Sequence, residues 1–196
     1  MNRCIPVGMI MLLVASGLGA LWQDRHDSHH KAARQSTGVL SVPSSIQAEH
    51  RHLHEQLDAA IAAGGTTGER AKAVAAVLGP HFEEEEAFAM PPLGLLEALA
   101  HDKPLTAEQV RSAIEMSDRL RGQYEKMLQE HKQIQEALRA LASAAAEEGH
   151  TAHAAFAHNL MAHAQNEEQV LYPTTLLIGR YLKLLHPGVA DKAGAR

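Results

Sequence analysis

The stretches HFEEEEAFAMP (residues 81–91) and HAQNEEQVLYP (residues 163–173) share one pattern: a His, a Glu pair at offsets four and five, and a Pro at offset ten. Each is preceded by a second shared motif. Glu49-His50-Arg51 leads into Leu53, Glu55 and Leu57, and Glu130-His131-Lys132 leads into Ile134, Glu136 and Leu138. His50 and His81 are 31 residues apart, and His131 and His163 are 32 apart. Self-similarity at a fixed period marks a repeated structural unit. Each unit reads as a helix bearing one His followed by a helix bearing His-x-x-x-Glu.

Helical geometry tests whether these residues can meet. At about 100° per residue, positions i and i+4 project from one face, so His81 with Glu85 and His163 with Glu167 each form a two-ligand face. The same arithmetic places each His within an apolar stripe. Ile46, Leu53, Leu57 and Ile61 flank His50, and Leu120, Met127, Ile134 and Leu138 flank His131. Val74, Val77 and Phe88 flank His81, and Phe156 and Val170 flank His163. His50, His81, Glu85, His131, His163 and Glu167 are therefore expected to point toward a common axis.

Around this repeat the chain has a helical vocabulary. Its 196 residues are 45% hydrophobic but only 4% aromatic, and the long interior stretches favour Ala, Leu, Glu, Gln, Lys and Arg over β-branched residues. The length suits one domain with an appendage. A helix is predicted from a Ser44 or Ser45 cap to Gly64-Gly65. A second spans 68–90, interrupted or kinked at Gly79-Pro80, and a short turn of helix covers 93–100. A third opens on a Thr106/Gln109 capping box and runs to about Glu148. A fourth runs over 151–172, with a helical pattern resuming at 174–185. Short connections make these the members of an all-α, antiparallel, up-down-up-down four-helix bundle over residues 44–185, followed by a tail at 186–196.

Ahead of the bundle, residues 4–22 (CIPVGMIMLLVASGLGALW) carry no charge. They are long enough to span a bilayer as an N-terminal hydrophobic helix, and small residues near the end equally suit a cleaved secretory signal. Residues 1–22 are thus an anchor or signal, residues 23–43 a polar linker, and the bundle is expected to be exported, either membrane-anchored or secreted. Eighteen Lys plus Arg against 23 Asp plus Glu, with few aromatics, gives no footprint for nucleic acid. The single cysteine, Cys4, excludes an internal disulfide framework or a Cys-built cluster. The chain has 14 histidines, and imidazole is the commonest metal ligand.

Ionised carboxylates in an apolar core need partners, because an unpaired one costs several kcal/mol or more. Two divalent cations would supply them. Imidazoles with bridging carboxylates in a helical bundle are the donor set of a di-iron or di-manganese centre, and zinc also accepts it.

This pattern resembles the hemerythrin-like, His-His-Glu cation-binding domain over 44–185. The matching residues are His50 in EHRHL, His81 and Glu85 in HFEEEEAFAMPPL, His131 in EHKQI, and His163 and Glu167 in HAQNEEQVLYP. The resemblance implies two iron ions, one held by His50 and His81, the other by His131 and His163, with Glu85 and Glu167 bridging. It also implies dioxygen or a related small molecule as the partner.

One departure qualifies this. Oxygen-carrying hemerythrins have a second His one turn from the third-helix ligand, where this chain has Met127 on one side and Gln135 on the other. Their Asp, five residues after the last His, is matched in spacing by Glu168 instead of Glu167. Counting octahedral positions, this leaves one more open than in the carriers unless His54, Glu86 or Glu168 fills it. Three readings follow: a protein that senses, stores or carries a small molecule; a di-iron enzyme or iron-handling protein acting on peroxide, nitric oxide or iron; and a metal-free interaction bundle. Glu49 and Glu130 are expected at the surface or orienting a neighbour, and Tyr124 and Phe156 in the core or lining a small-molecule pocket.

Overall fold

The computed structural model describes residues 40–189. Among these there is no strand. The hydrophobic segment at 4–22, most of the expected linker and the end of the tail lie outside the described residues. Within the described residues, no helix is long and apolar enough to cross a membrane.

Helix α1 is Ser44–Ala62 and α2 is Gly65–Glu84. The first residue of α1 is Ser44 itself. Pro43, not a serine, stands at its cap position, and no side chain caps it. The tight turn that follows uses Gly64 and Gly65 at φ 69° and 58°, a left-handed region that disfavours a Cβ. Pro80 does not interrupt α2, which continues through it to Glu84. A π-helical turn then covers Glu85–Ala89, a 3₁₀ turn Pro91–Leu95, and a short helix α3 Leu96–Ala100.

Helix α4, Ala107–Glu147, is the longest element. It opens on the expected capping box: Gln109 N–H donates to Thr106 Oγ1 at 3.1 Å, and Thr106 N–H donates to Gln109 Oε1 at 2.9 Å. Helix α5, Thr151–Asn166, passes through a second π-helical turn, Glu167–Leu171, into α6, Tyr172–Leu185. Pro173 lies in the first turn of α6, where its missing N–H is tolerated.

The helices form a bundle in which α4 packs against α2, α5 and α6, while α1 packs against α2 and α5. Cross-links fix the directions. Thr67 of α2 meets Glu148 just past α4, and Glu84 meets Lys126, so these helices run oppositely. Asp118 meets Lys183 and His131 meets Glu168, so the fourth rod runs opposite to α4.

The core lies on both sides of the histidine level. Toward the Gly64 end, Leu57, Leu78, Leu138, Leu141, Phe156 and Leu160 are buried. Toward the other end, Phe88, Met90, Ile114, Leu120, Met127 and Ile178 form one cluster, which Leu40 and Val42 join from ahead of α1. Gly94 allows this approach, since a Cβ there would lie 2.4 Å from the Ser41 carbonyl oxygen. One expected core position fails. Val170 is 51% exposed, although it stands at the same offset in the same kind of turn as Phe88. Its counterpart Phe88 is buried, with the Arg119 guanidinium 4.3 Å from its ring centroid.

Candidate metal centre

The six residues expected to converge do converge. His50, His81, Glu85, His131, His163 and Glu167 are all buried, with Glu85 and His131 fully so. Both glutamates open a π-helical turn. Such turns are commonly found at functional sites, because the extra residue re-aims the side chains around it. Here both members of each Glu pair reach the cluster, Glu85 and Glu167 from within and Glu86 and Glu168 from its flank.

The donor atoms fall into two groups, each within 4.8 Å: His81, Glu85, His131 and Glu167 in one, and His50, His163 and Glu167 in the other. In the first, His81 Nε2 lies 3.4 Å from Glu85 Oε1, and His131 Nε2 lies 3.4 Å from Glu167 Oε2. In the second, His163 Nε2 and His50 Nε2 lie 2.8 and 3.5 Å from Glu167 Oε1. Glu167 thus belongs to both groups, and Glu85 Oε2 also faces His50 Nε2 at 3.9 Å.

These distances group His81 with His131 and His50 with His163, where the resemblance implied His50 with His81 and His131 with His163. The ring centroids of His81 and His131 are 4.5 Å apart, and those of His50 and His163 are 5.3 Å apart. Each group therefore takes one His from each half of the repeat.

The outward nitrogens are all held by carboxylates. His50 Nδ1 pairs with Glu86 at 3.3 Å, His81 Nδ1 with Glu130 at 3.0 Å, His131 Nδ1 with Glu168 at 2.9 Å, and His163 Nδ1 with Glu49 at 3.0 Å. An ionised carboxylate only accepts, so each Nδ1 carries the proton. Each Nε2 is then the inward atom that would bind a metal once its own proton is displaced, the arrangement typical of metal-ligating histidines. Glu86 and Glu168 therefore orient histidines and do not fill an inner position. His54 packs edge-on against the Phe82 ring, with centroids 5.2 Å apart. Glu49 and Glu130 take the orienting role, each across the repeat, and Lys126 in turn holds Glu130 at 2.9 Å.

The atoms at the centre fit a cation. His50 Nε2, His163 Nε2, Glu85 Oε2 and Glu167 Oε1 are buried with no well-aligned hydrogen bond and face one another as ion pairs, a setting that a cation can satisfy more fully. The electrostatics agree. Burial works against charging His50, but Glu167, Glu86 and Glu85 outweigh it and push its pKa up to about 10. His81 is likewise lifted to about 9, against burial, by Glu85 and Glu130. Burial would raise the Glu167 carboxyl, yet His131, His163 and His50 hold it well below the usual range. A cluster that retains positive charge this strongly is one in which a divalent cation can replace protons.

One residue of the cluster went unnoticed in the sequence. The Tyr172 hydroxyl, fully buried, donates to Glu85 Oε1 at 2.5 Å and lies 3.4 and 3.3 Å from His81 Nε2 and His131 Nε2. Burial first, then Glu85 and Glu167, raise its pKa. The available signal was a break in the repeat: nine residues after His163 stands Tyr172, but nine after His81 stands Met90. Tyr124 lies behind it, ring centroids 6.3 Å apart, and Phe156 is buried in the core.

Comparison with known proteins adds the family. No curated protein and no solved structure matches the chain. The hemerythrin HHE cation-binding domain matches residues 42–175, which contain all six inward ligand candidates and Tyr172. A buried His/Glu cluster able to hold metal, inside that match, makes this chain a member of the hemerythrin HHE cation-binding family.

Proposed function

We propose that the cluster holds two metal ions, a non-haem di-iron centre with manganese or zinc as the alternatives, and through it binds dioxygen or a related small molecule for sensing, storage or carriage. The observation that supports this most is the pair of donor groups sharing Glu167, with each of the four Nδ1 atoms tied to its own carboxylate. Bound iron supplies open coordination positions and redox capacity for a small ligand. The chain's own part is to aim the four Nε2 atoms, to balance the cations with Glu85 and Glu167, and to keep water out with apolar layers on either side. Phe82 contributes to that exclusion by stacking on His50 at 4.2 Å and 1°.

Anaerobic loading with ferrous iron, followed by air, tests the reading. The expected result is about two irons per chain with near-ultraviolet oxo-to-iron absorption. Protein that takes up no iron, or only a single zinc, refutes it. A second reading, turnover of peroxide or nitric oxide or the handling of iron, draws on the extra open position left where neither Met127, fully buried, nor Gln135 supplies the carriers' further His. Steady-state turnover separates the two, since a pure binder gives stoichiometric spectra. Export of the bundle, on an anchor or after cleavage within residues 1–22, belongs to the same proposal.

A further inference from the structure

The internal repeat supplies each half of the cluster with equivalent donors at every inner position, and then departs from equivalence at one. The offset that carries His163 onto His81 carries Tyr172 onto Met90. Both side chains are fully buried, but only Tyr172 brings an oxygen to the cluster. That oxygen lies 2.5 Å from Glu85 Oε1, 3.3 Å from His131 Nε2 and 3.4 Å from His81 Nε2, so it faces the inward atoms of a single group. The phenol ring is stacked on His131, with centroids 5.5 Å apart and planes 14° apart. Its backbone N–H closes the π-helical turn by donating to the Glu167 carbonyl, so the turn that aims Glu167 also fixes Tyr172. At the other group the neighbouring ring is Phe82 on His50, which offers no donor.

Resting on the two-metal reading, we propose that Tyr172 is a further ligand, as phenolate, of the ion held by His81, His131 and Glu85. The two ions are then inequivalent, and the position left for a small molecule falls on the ion of His50 and His163. Phenolate oxygen is a hard anionic donor of the kind that ferric iron accepts. On ligation the phenol O–H bond breaks and an oxygen–metal bond forms. The proton now shared with Glu85 leaves to solvent, and no electron is transferred. This ligand fills the extra open position that the absence of a carrier-type His would leave.

The test uses the full chain, loaded anaerobically with iron and oxidised in air, and reads iron content separately from the visible spectrum. The expected result is about two irons per chain and a visible phenolate-to-iron band with tyrosinate ring modes in resonance Raman. Tyr172→Phe keeps the iron and loses the band. The chain has three tyrosines, so retention of the band in Tyr124→Phe and Tyr181→Phe assigns it to Tyr172 even if Tyr172→Phe does not fold. Azide, added to the ferric protein, binds without abolishing the band. Two irons without the band, a band that survives in Tyr172→Phe, or a band abolished by azide overturns the assignment while leaving the two-metal reading intact. No bound iron at all refutes that reading and the ligand assignment with it.

Discussion

The pocket of His81, His131 and Glu85 and the pocket of His50, His163 and Glu167 are related by the internal repeat, yet Tyr172 stands beside the first and Phe82 against the second. Their Nδ1 partners are also equivalent in kind but not in setting. Glu130, behind His81, is 25% exposed and held by Lys126, whereas Glu49, behind His163, is 53% exposed. A duplicated unit thus provides matched donors, and residues that break the match give each pocket its own character. The far end shows the same divergence. Neither α2 nor α5 is capped by its own N-cap residue, but the first turn of α2 donates Thr66 N–H and Thr67 N–H to Glu148 at 2.8 and 2.9 Å, whereas Thr151 N–H at the start of α5 donates to the Gly149 carbonyl.

The largest effect is expected where the two pockets join. Glu167→Ala removes the carboxylate common to both and should abolish retention of both ions, whereas Glu85→Ala should chiefly deplete the His81 and His131 pocket. Metal analysis after dialysis distinguishes them, and equal losses would show the pockets to be one indivisible site. The metal-free Glu167→Ala protein should also lose about 3–5 kcal/mol in denaturant unfolding, since its buried histidines are left without their counter-charge.

Removing an orienting carboxylate comes next. Glu130→Ala should weaken metal affinity by about 10- to 100-fold, the usual consequence of freeing a ligating imidazole. Glu49→Ala should fall at the lower end of that range because Glu49 is the more exposed. Competition with a chelator measures both, and a Glu49 effect larger than that of Glu130 would overturn the expected order.

Thr175 provides a smaller, purely structural contrast. Its hydroxyl donates to the Ala89 carbonyl at 2.6 Å in the buried core, at the point where the first half leaves its π-helical turn. Thr175→Val should cost about 1–3 kcal/mol by leaving that carbonyl unsatisfied, with iron content unchanged.

The mildest prediction concerns acid. Hydrogen bonds from the Thr67 hydroxyl and from the Thr67 and Thr66 backbone lower Glu148 from 4.5 to about 2. A carboxylate whose pKa is depressed on folding contributes stability that is complete above the unfolded value and is lost as pH falls through the folded one. The cap should therefore weaken between about pH 4.5 and 2. Glu148→Gln should reduce stability at neutral pH and flatten its decline across that window. An unchanged acid profile would remove the asymmetry at this end of the bundle.

Much of the site was legible because helical spacing converts directly into a face. His81 with Glu85 and His163 with Glu167 could be placed together from offsets alone, and the apolar stripes aimed them inward. The Thr106/Gln109 cap was equally local and equally readable. Val170 is exposed while Phe88, at the same offset in an equivalent π-helical turn, is buried, so offset within a helix did not settle that position. Which histidines face one another across the bundle was not legible, because spacing within a helix says nothing about which neighbour a helix faces. Tyr172 was overlooked because a lone tyrosine on an amphipathic helix reads as core.

What the residues determined unaided is the helical content, the repeat, the inward donor set and the resemblance to the family, all consequences of short-range periodicity. The tertiary structure alone decided that His81 meets His131 and His50 meets His163, that Glu49, Glu86, Glu130 and Glu168 grip the outer nitrogens, and that one phenol enters a single pocket. Those facts depend on contacts between residues as many as 114 positions apart. They are set by how the four rods pack around one core, which no local pattern encodes.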